Sequence, residues 1–163
     1  MKKLIATAFM AAASLSTVAL AADEDRAEWL FVQSADGAEV VDGTTLAIPL
    51  EREIFAFTER PYRRHHYLNA HEFAALWSEG KDSFEADPPN AVMTWVVDGE
   101  VHEAEFELVD VATANHGRVI VYEVDSEAGT SVPEEARHVS LFVDGFSEVF
   151  NAMAIAAGYS SVR

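Results

Sequence analysis

Four Asp-Gly pairs punctuate the chain: Asp36-Gly37, Asp42-Gly43, Asp98-Gly99 and Asp144-Gly145. Each lies between, or at the end of, short runs rich in branched and aromatic residues. Asp and Gly both accept positive φ, so the pair between apolar runs is the strongest short-range hairpin signal. A chain punctuated in this way is constrained to antiparallel β structure. The sequence predicts strands over Glu28–Gln33, Glu39–Val41 and Thr44–Ile48, forming a meander that Pro49 ends by removing a ladder donor. Glu53–Thr58 is apolar on both sides, as a central strand is, and Pro61 stops it. Further strands are expected at Ala91–Val97, Glu100–Asp110, Arg118–Val124 and Arg137–Val143. In the second of these Ala104, Phe106 and Leu108 alternate with Glu103, Glu105 and Glu107, the pattern of a half-buried strand.

One helix interrupts the strands. Asn69 is a good N-cap, Glu72 stands at capping-box spacing, and Phe73, Leu76 and Trp77 form one apolar stripe. Gly80 suits the left-handed residue that closes such a helix, giving a span of about 69–80. Pro88-Pro89 then imposes an extended approach to the next strand. The tail from Phe146 to Ala157 fits a helix face through Phe146, Val149, Phe150 and Met153, and it also alternates as a strand would; a helix is preferred. No strand–helix–strand rhythm is present to support a parallel sheet. The expected architecture is mainly β, an antiparallel sandwich or partly open barrel with the helix over an open end or face.

Met1-Lys2-Lys3, an apolar Ala-rich run from Leu4, and Ala19-Leu20-Ala21 have the form of a secretory signal peptide. Cleavage after Ala21 leaves residues 22–163, 142 residues, as a single β-rich domain. Losing Lys2 and Lys3 moves the net charge from −17 to −19. A protein this acidic repels phosphate backbones and anionic headgroups, so neither nucleic acid nor a membrane surface is expected as partner. No stable membrane insertion is expected after cleavage, and the expected location is the periplasm or the medium. The chain has no cysteine, so thiol chemistry and disulfides are excluded.

The stretch from Phe57 to Ala91 carries most of the candidate chemistry. Arg60, Arg63 and Arg64 cluster in an acidic background, and guanidinium forks suit carboxylates, phosphates or sugar acids. The preferred expectation for Arg60 is a tether, paired to Asp82, Glu85 or Asp87 and tying the strand end to the Pro-Pro turn. His65, His66 and His71 raise the possibility of a metal, but adjacent residues on an extended segment diverge, and no metal site or other cofactor is expected. Asp82, Glu85, Asp87 and Asn90 supply oxygens without the loop glycine or donor spacing of a calcium loop. His102 is expected on the apolar side of its strand, partly buried. The aromatics Trp29, Phe31, Phe55, Phe57, Trp77, Trp95 and Phe106 suit a core, and could also line a binding face. The residues expected to touch a ligand are Arg60, Arg63, Arg64, His66 and Trp77.

F-T-E-R-P (Phe57–Pro61), F-x-x-x-W-x-x-G-x-D-S-F (Phe73–Phe84) and D-P-P-N-A (Asp87–Ala91) together resemble an uncharacterised family of small secreted bacterial proteins. V-S-L-F-V-D (Val139–Asp144) is similar to the final strand of such proteins. The resemblance implies export and a single domain. It brings no activity, cofactor or partner, and the run Arg64-His65-His66 lies outside its pattern. The expectation from residues and resemblance together is a non-catalytic exported module that binds a small ligand or an envelope protein. The alternative is a periplasmic hydrolase, metal-assisted enzyme or metal-handling protein using His65, His66 and His71.

Overall fold

In the computed structural model, which describes residues 28–78, 83–125 and 132–145, eight strands form one antiparallel sheet that curls back on itself. They are β1 (Trp29–Val40), β2 (Thr45–Pro49), β3 (Ile54–Thr58), β4 (His65–Leu68), β5 (Asn90–Val97), β6 (Glu100–Ala114), β7 (Val119–Asp125) and β8 (Glu135–Asp144). The order across the sheet is β2-β7-β6-β5-β8-β1-β3-β4, and β2 also pairs with β1. That last pairing turns six strands into a barrel and leaves β3–β4 as a flap extending from β1. The expected antiparallel, partly open barrel is therefore the fold.

Two long strands make the corners. β6 pairs with β5 from Glu100 to Glu107 and with β7 from Glu107 to Ala114, changing partner at a register shift between Leu108 and Asp110. A bulge of this kind bends the strand and increases its twist, which is how a sheet turns a barrel corner. β1 behaves similarly. It pairs with β8 from Leu30 to Glu39, while its other edge meets β3 from Trp29 to Val32 and β2 only at Glu39 and Val40. Residues 33 to 38 of β1 thus have no strand on that edge among the described residues.

Gln33 closes this seam. Its side chain is 2% exposed and reaches inward, where Oε1 accepts from the Tyr122 hydroxyl at 2.5 Å. Nε2 lies 3.4 Å from the carbonyl oxygens of both Ile48 and Pro49 at the end of β2. Asp36 N–H donates to Glu51 Oε2 at 3.2 Å a little further along. Burial holds the Tyr122 phenol well above its usual pKa, so it remains a donor to Gln33.

The barrel interior is filled by side chains from every wall. Phe31, Leu46, Ile48, Met93, Leu108, Ile120, Leu141 and Val143 are all essentially buried. The helix, α1 (Ala70–Ser78), packs between β6 and β4 and adds Phe73, Leu76 and Trp77 to that core. Phe73 meets Phe31 edge-on at 5.6 Å, and Trp77 meets Phe84 edge-on at 4.7 Å. The expected capping box is formed. Asn69 Oδ1 accepts from the His71 and Glu72 amides at 3.0 Å, and Glu72 Oε2 accepts from the Asn69 amide at 2.9 Å. Gly80 and the tail from Phe146 lie outside the described residues.

The turn chemistry holds at two of the Asp-Gly pairs, and a third turn of left-handed residues joins β6 to β7. Asp98 and Gly99 both have positive φ, 53° and 85°, and join β5 to β6. Asp42-Gly43 lies between β1 and β2, and Asn115-His116-Gly117 turns β6 into β7 through three left-handed residues. Asp36-Gly37 is not a turn. β1 runs through it, because Ala38 and Glu39 continue the ladder with Ala136 and Glu135 of β8. Glycine eases a close approach there, since a Cβ on Gly37 would lie 3.2 Å from the Ala136 carbonyl oxygen and that strand would have to give by a few tenths of an ångström. The expected meander forms only in part: Asp42-Gly43 turns β1 back onto β2 at Glu39 and Val40, but Glu28–Gln33 and Glu39–Val41 belong to one strand, β1, and β2 pairs mainly with β7.

Candidate functional site

A curled antiparallel sheet buries one face and wets the other, so its outer face should be polar. On one side of this barrel it is not. Five outward residues align in register across five strands: Tyr67 opposite Phe55, Phe55 opposite Val32, Val32 opposite Phe142, and Phe142 opposite Val92. At about 4.8 Å per strand, this apolar row is roughly 19 Å long. Tyr67 is 55% exposed and Phe142 45% exposed. Beside the row lie His65, Phe57 and Leu30, which are also register partners. The Phe55 and Phe57 rings stack at 5.6 Å, and Phe55 contacts Tyr67 at 5.2 Å.

The face has a charged border of opposite sign at each side. Beyond Val92 stand Glu105 and its outward neighbours Glu103 and Glu107 on β6, and Asp144 on β8 lies opposite Leu30. At the other side, the β3–β4 turn carries exposed Arg60, Arg63 and Arg64. This turn is held by its own bonds. Thr58 N–H donates to the Arg64 carbonyl at 3.0 Å, Arg64 N–H donates to Thr58 Oγ1 at 2.8 Å, and Arg63 N–H donates to the Glu59 carbonyl at 3.1 Å. Arg63 has φ of 51°, the Arg60–Pro61 peptide is cis, and the Arg64 guanidinium sits 5.6 Å from the centre of the Tyr62 ring. The turn that carries the three arginines runs directly into His65 and Tyr67 of β4, at the end of the strands that bear the aromatic face.

Other sequence expectations fare differently. Arg60 is exposed, and among the described residues no ion pair joins it to Glu85 or Asp87; Asp82 lies outside them. The loop after α1 is held instead by the helix, with Phe84 N–H donating to the Leu76 carbonyl at 3.1 Å and Glu85 N–H to the Trp77 carbonyl at 3.2 Å. Trp77 is buried in the core, away from a shared surface with the arginines, and its indole N–H has no partner among the described residues. His65 and His66 do diverge. His65 faces outward beside Phe57, while half-buried His66 pairs with Ala56 on the other side of β4. His71 lies elsewhere, exposed on α1 with Nε2 beside Gly117. No group of three His, Asp or Glu side chains suited to a metal ion occurs among the described residues. His102 is exposed rather than partly buried. It is the register partner of Trp95, stacked on it at 5.9 Å, and stands near the start of β6, close to the β5–β6 turn.

Sequence reasoning missed two parts of this surface. β4 was not expected as a strand, because a run of Arg and His has no alternation to announce it. Phe142 stands out only once the register is known, since Val139, Leu141 and Val143 point inward and it alone of that run projects outward as a large apolar group. No helix among the described residues is long and apolar enough to cross a membrane. No family model, curated protein or solved structure matches this chain.

Proposed function

We propose that this chain is an exported, non-catalytic binding module, and that the outer face of β4, β3, β1, β8 and β5 is its docking surface. The observation that carries the proposal is the in-register apolar row Tyr67, Phe55, Val32, Phe142, Val92 on a face that water would otherwise claim. Contiguous exposed apolar surface with a polar rim marks interaction sites. Covering Tyr67 and Phe142 alone would remove roughly 200 Å² from water, a gross gain of about 5 kcal/mol before the costs of association. An open outer face of this kind suits a protein partner in the envelope better than an enclosed small ligand. Arg60, Arg63 and Arg64 supply the charge that orients such a partner. The signal-like leader and the resemblance to small secreted bacterial proteins support export. The alternative of a metal-handling protein or enzyme built on His65, His66 and His71 gains nothing from their divergent positions.

The test is photo-crosslinking in exporting cells, with a benzophenone side chain at position 142 or, as control, at exposed Val101. Adduct formation at 142 and not at 101 is expected. Equal adducts at both positions, or none at 142, would remove this face from consideration.

A further inference from the structure

The docking face has an internal symmetry that narrows the choice of partner. β1 is the middle strand of the five, and Val32 the middle residue of the row. On one side of it lie Phe55 and Tyr67, on the other Phe142 and Val92. The borders are related in sign. The basic turn with Arg60 and Arg63 belongs to the β3–β4 side, and Asp144, Glu105 and Glu107 to the β8–β6 side. Resting on the docking-surface reading above, we propose that the partner is a second copy of this chain, stacked face to face about a twofold axis running along β1.

Under that operation Val32 meets its own counterpart, Phe55 lies over the partner's Phe142 position, and Tyr67 lies over the Val92 position. Bulky residues thus meet across sheets that pack about 10 Å apart. The same operation lays each basic half on an acidic half, so the interface is isologous and electrostatically self-complementary. The net charge of the processed chain, −19, makes other approaches of two copies repulsive, and the arginine turn is the place where that repulsion is reversed. The face measures roughly 400 Å² per copy, about half of a standard-size interface, so the dimer is reversible and dissociates on dilution.

Sedimentation velocity on the processed chain, from about 1 to about 500 µM, is the test. A monomer at the low end that becomes a dimer at the high end is expected. Phe142→Lys should weaken self-association by at least ~10-fold while leaving the unfolding midpoint in place, since Phe142 is half exposed. Arg60→Glu/Arg63→Glu and Glu105→Arg/Glu107→Arg should each abolish the dimer alone, and an equimolar mixture of the two variants should restore it. Restoration is an outcome that a merely damaged fold cannot produce. A wild-type chain that stays monomeric throughout, or variants that fail to complement, would overturn the second-copy proposal. In that case crosslinking at position 142 still decides separately whether the face has another partner.

Discussion

Tyr122→Phe is the most informative perturbation of the fold, because one oxygen closes the open seam of the barrel. In the native chain Tyr122 is fully buried, and its hydroxyl donates to Gln33 Oε1, itself on a residue 2% exposed. Deleting the hydroxyl leaves Oε1 in the interior without that donor. An unsatisfied buried acceptor costs about 1–3 kcal/mol, whereas the net worth of an ordinary hydrogen bond is nearer 1 kcal/mol. Gln33→Leu should cost a similar amount, because it strands the hydroxyl and also removes the weak 3.4 Å contacts to the carbonyls of Ile48 and Pro49. Removing both partners leaves no orphan in the pair, so the double variant should be less destabilised than the sum of the singles, by at least ~1 kcal/mol. Urea unfolding of the four proteins with a shared slope measures this coupling directly. Two single variants with unchanged midpoints, or a double variant that is strictly additive, would refute the role assigned to this pair in closing the seam.

Three further outcomes follow from the same structure. Asn69→Ala removes the acceptor for two helix-start amides and should lower stability by about 0.5–2 kcal/mol in denaturant melts. Arg60→Ala should change stability by no more than ~0.5 kcal/mol, as at exposed positions generally, and a loss of several kcal/mol would revive the tether to the loop after α1. Spectrophotometric titration should show one tyrosine that does not ionise near pH 10 and that disappears in Tyr122→Phe. The native pKa is raised above the unfolded value, so this stability is complete below about pH 10 and is lost as pH rises towards the native pKa.

What the sequence disclosed, and what it did not, divides by range along the chain. The Asn69–Glu72 capping box and the turns at Asp42-Gly43 and Asp98-Gly99 are local chemistry, complete within a few residues, and the structure has them where they were expected. Asp36-Gly37 has the same letters but answers to a distant atom, the Ala136 carbonyl, so local turn rules misassign it. The partner changes of β1 and β6 are likewise set by strands far away in sequence. Glu53–Thr58 was correctly seen as apolar on both sides, yet Phe55 and Phe57 serve the outer face and not a second core. The arginine cluster was legible as composition. Its position beside an aromatic row became visible only through the register that places Tyr67, Phe55, Val32 and Phe142 in line.

The central claim is that this outer face is covered by a partner while the rest of the barrel surface is wet. Hydroxyl-radical footprinting, followed residue by residue by mass spectrometry, tests it most directly by comparing the protein in the intact envelope with the dilute purified chain. Phe55, Tyr67 and Phe142 should be protected together in the envelope, while Val97 and Val101, exposed at the β5–β6 turn, should react equally in both settings. Equal labelling of the three aromatics in envelope and dilute solution would contradict the account.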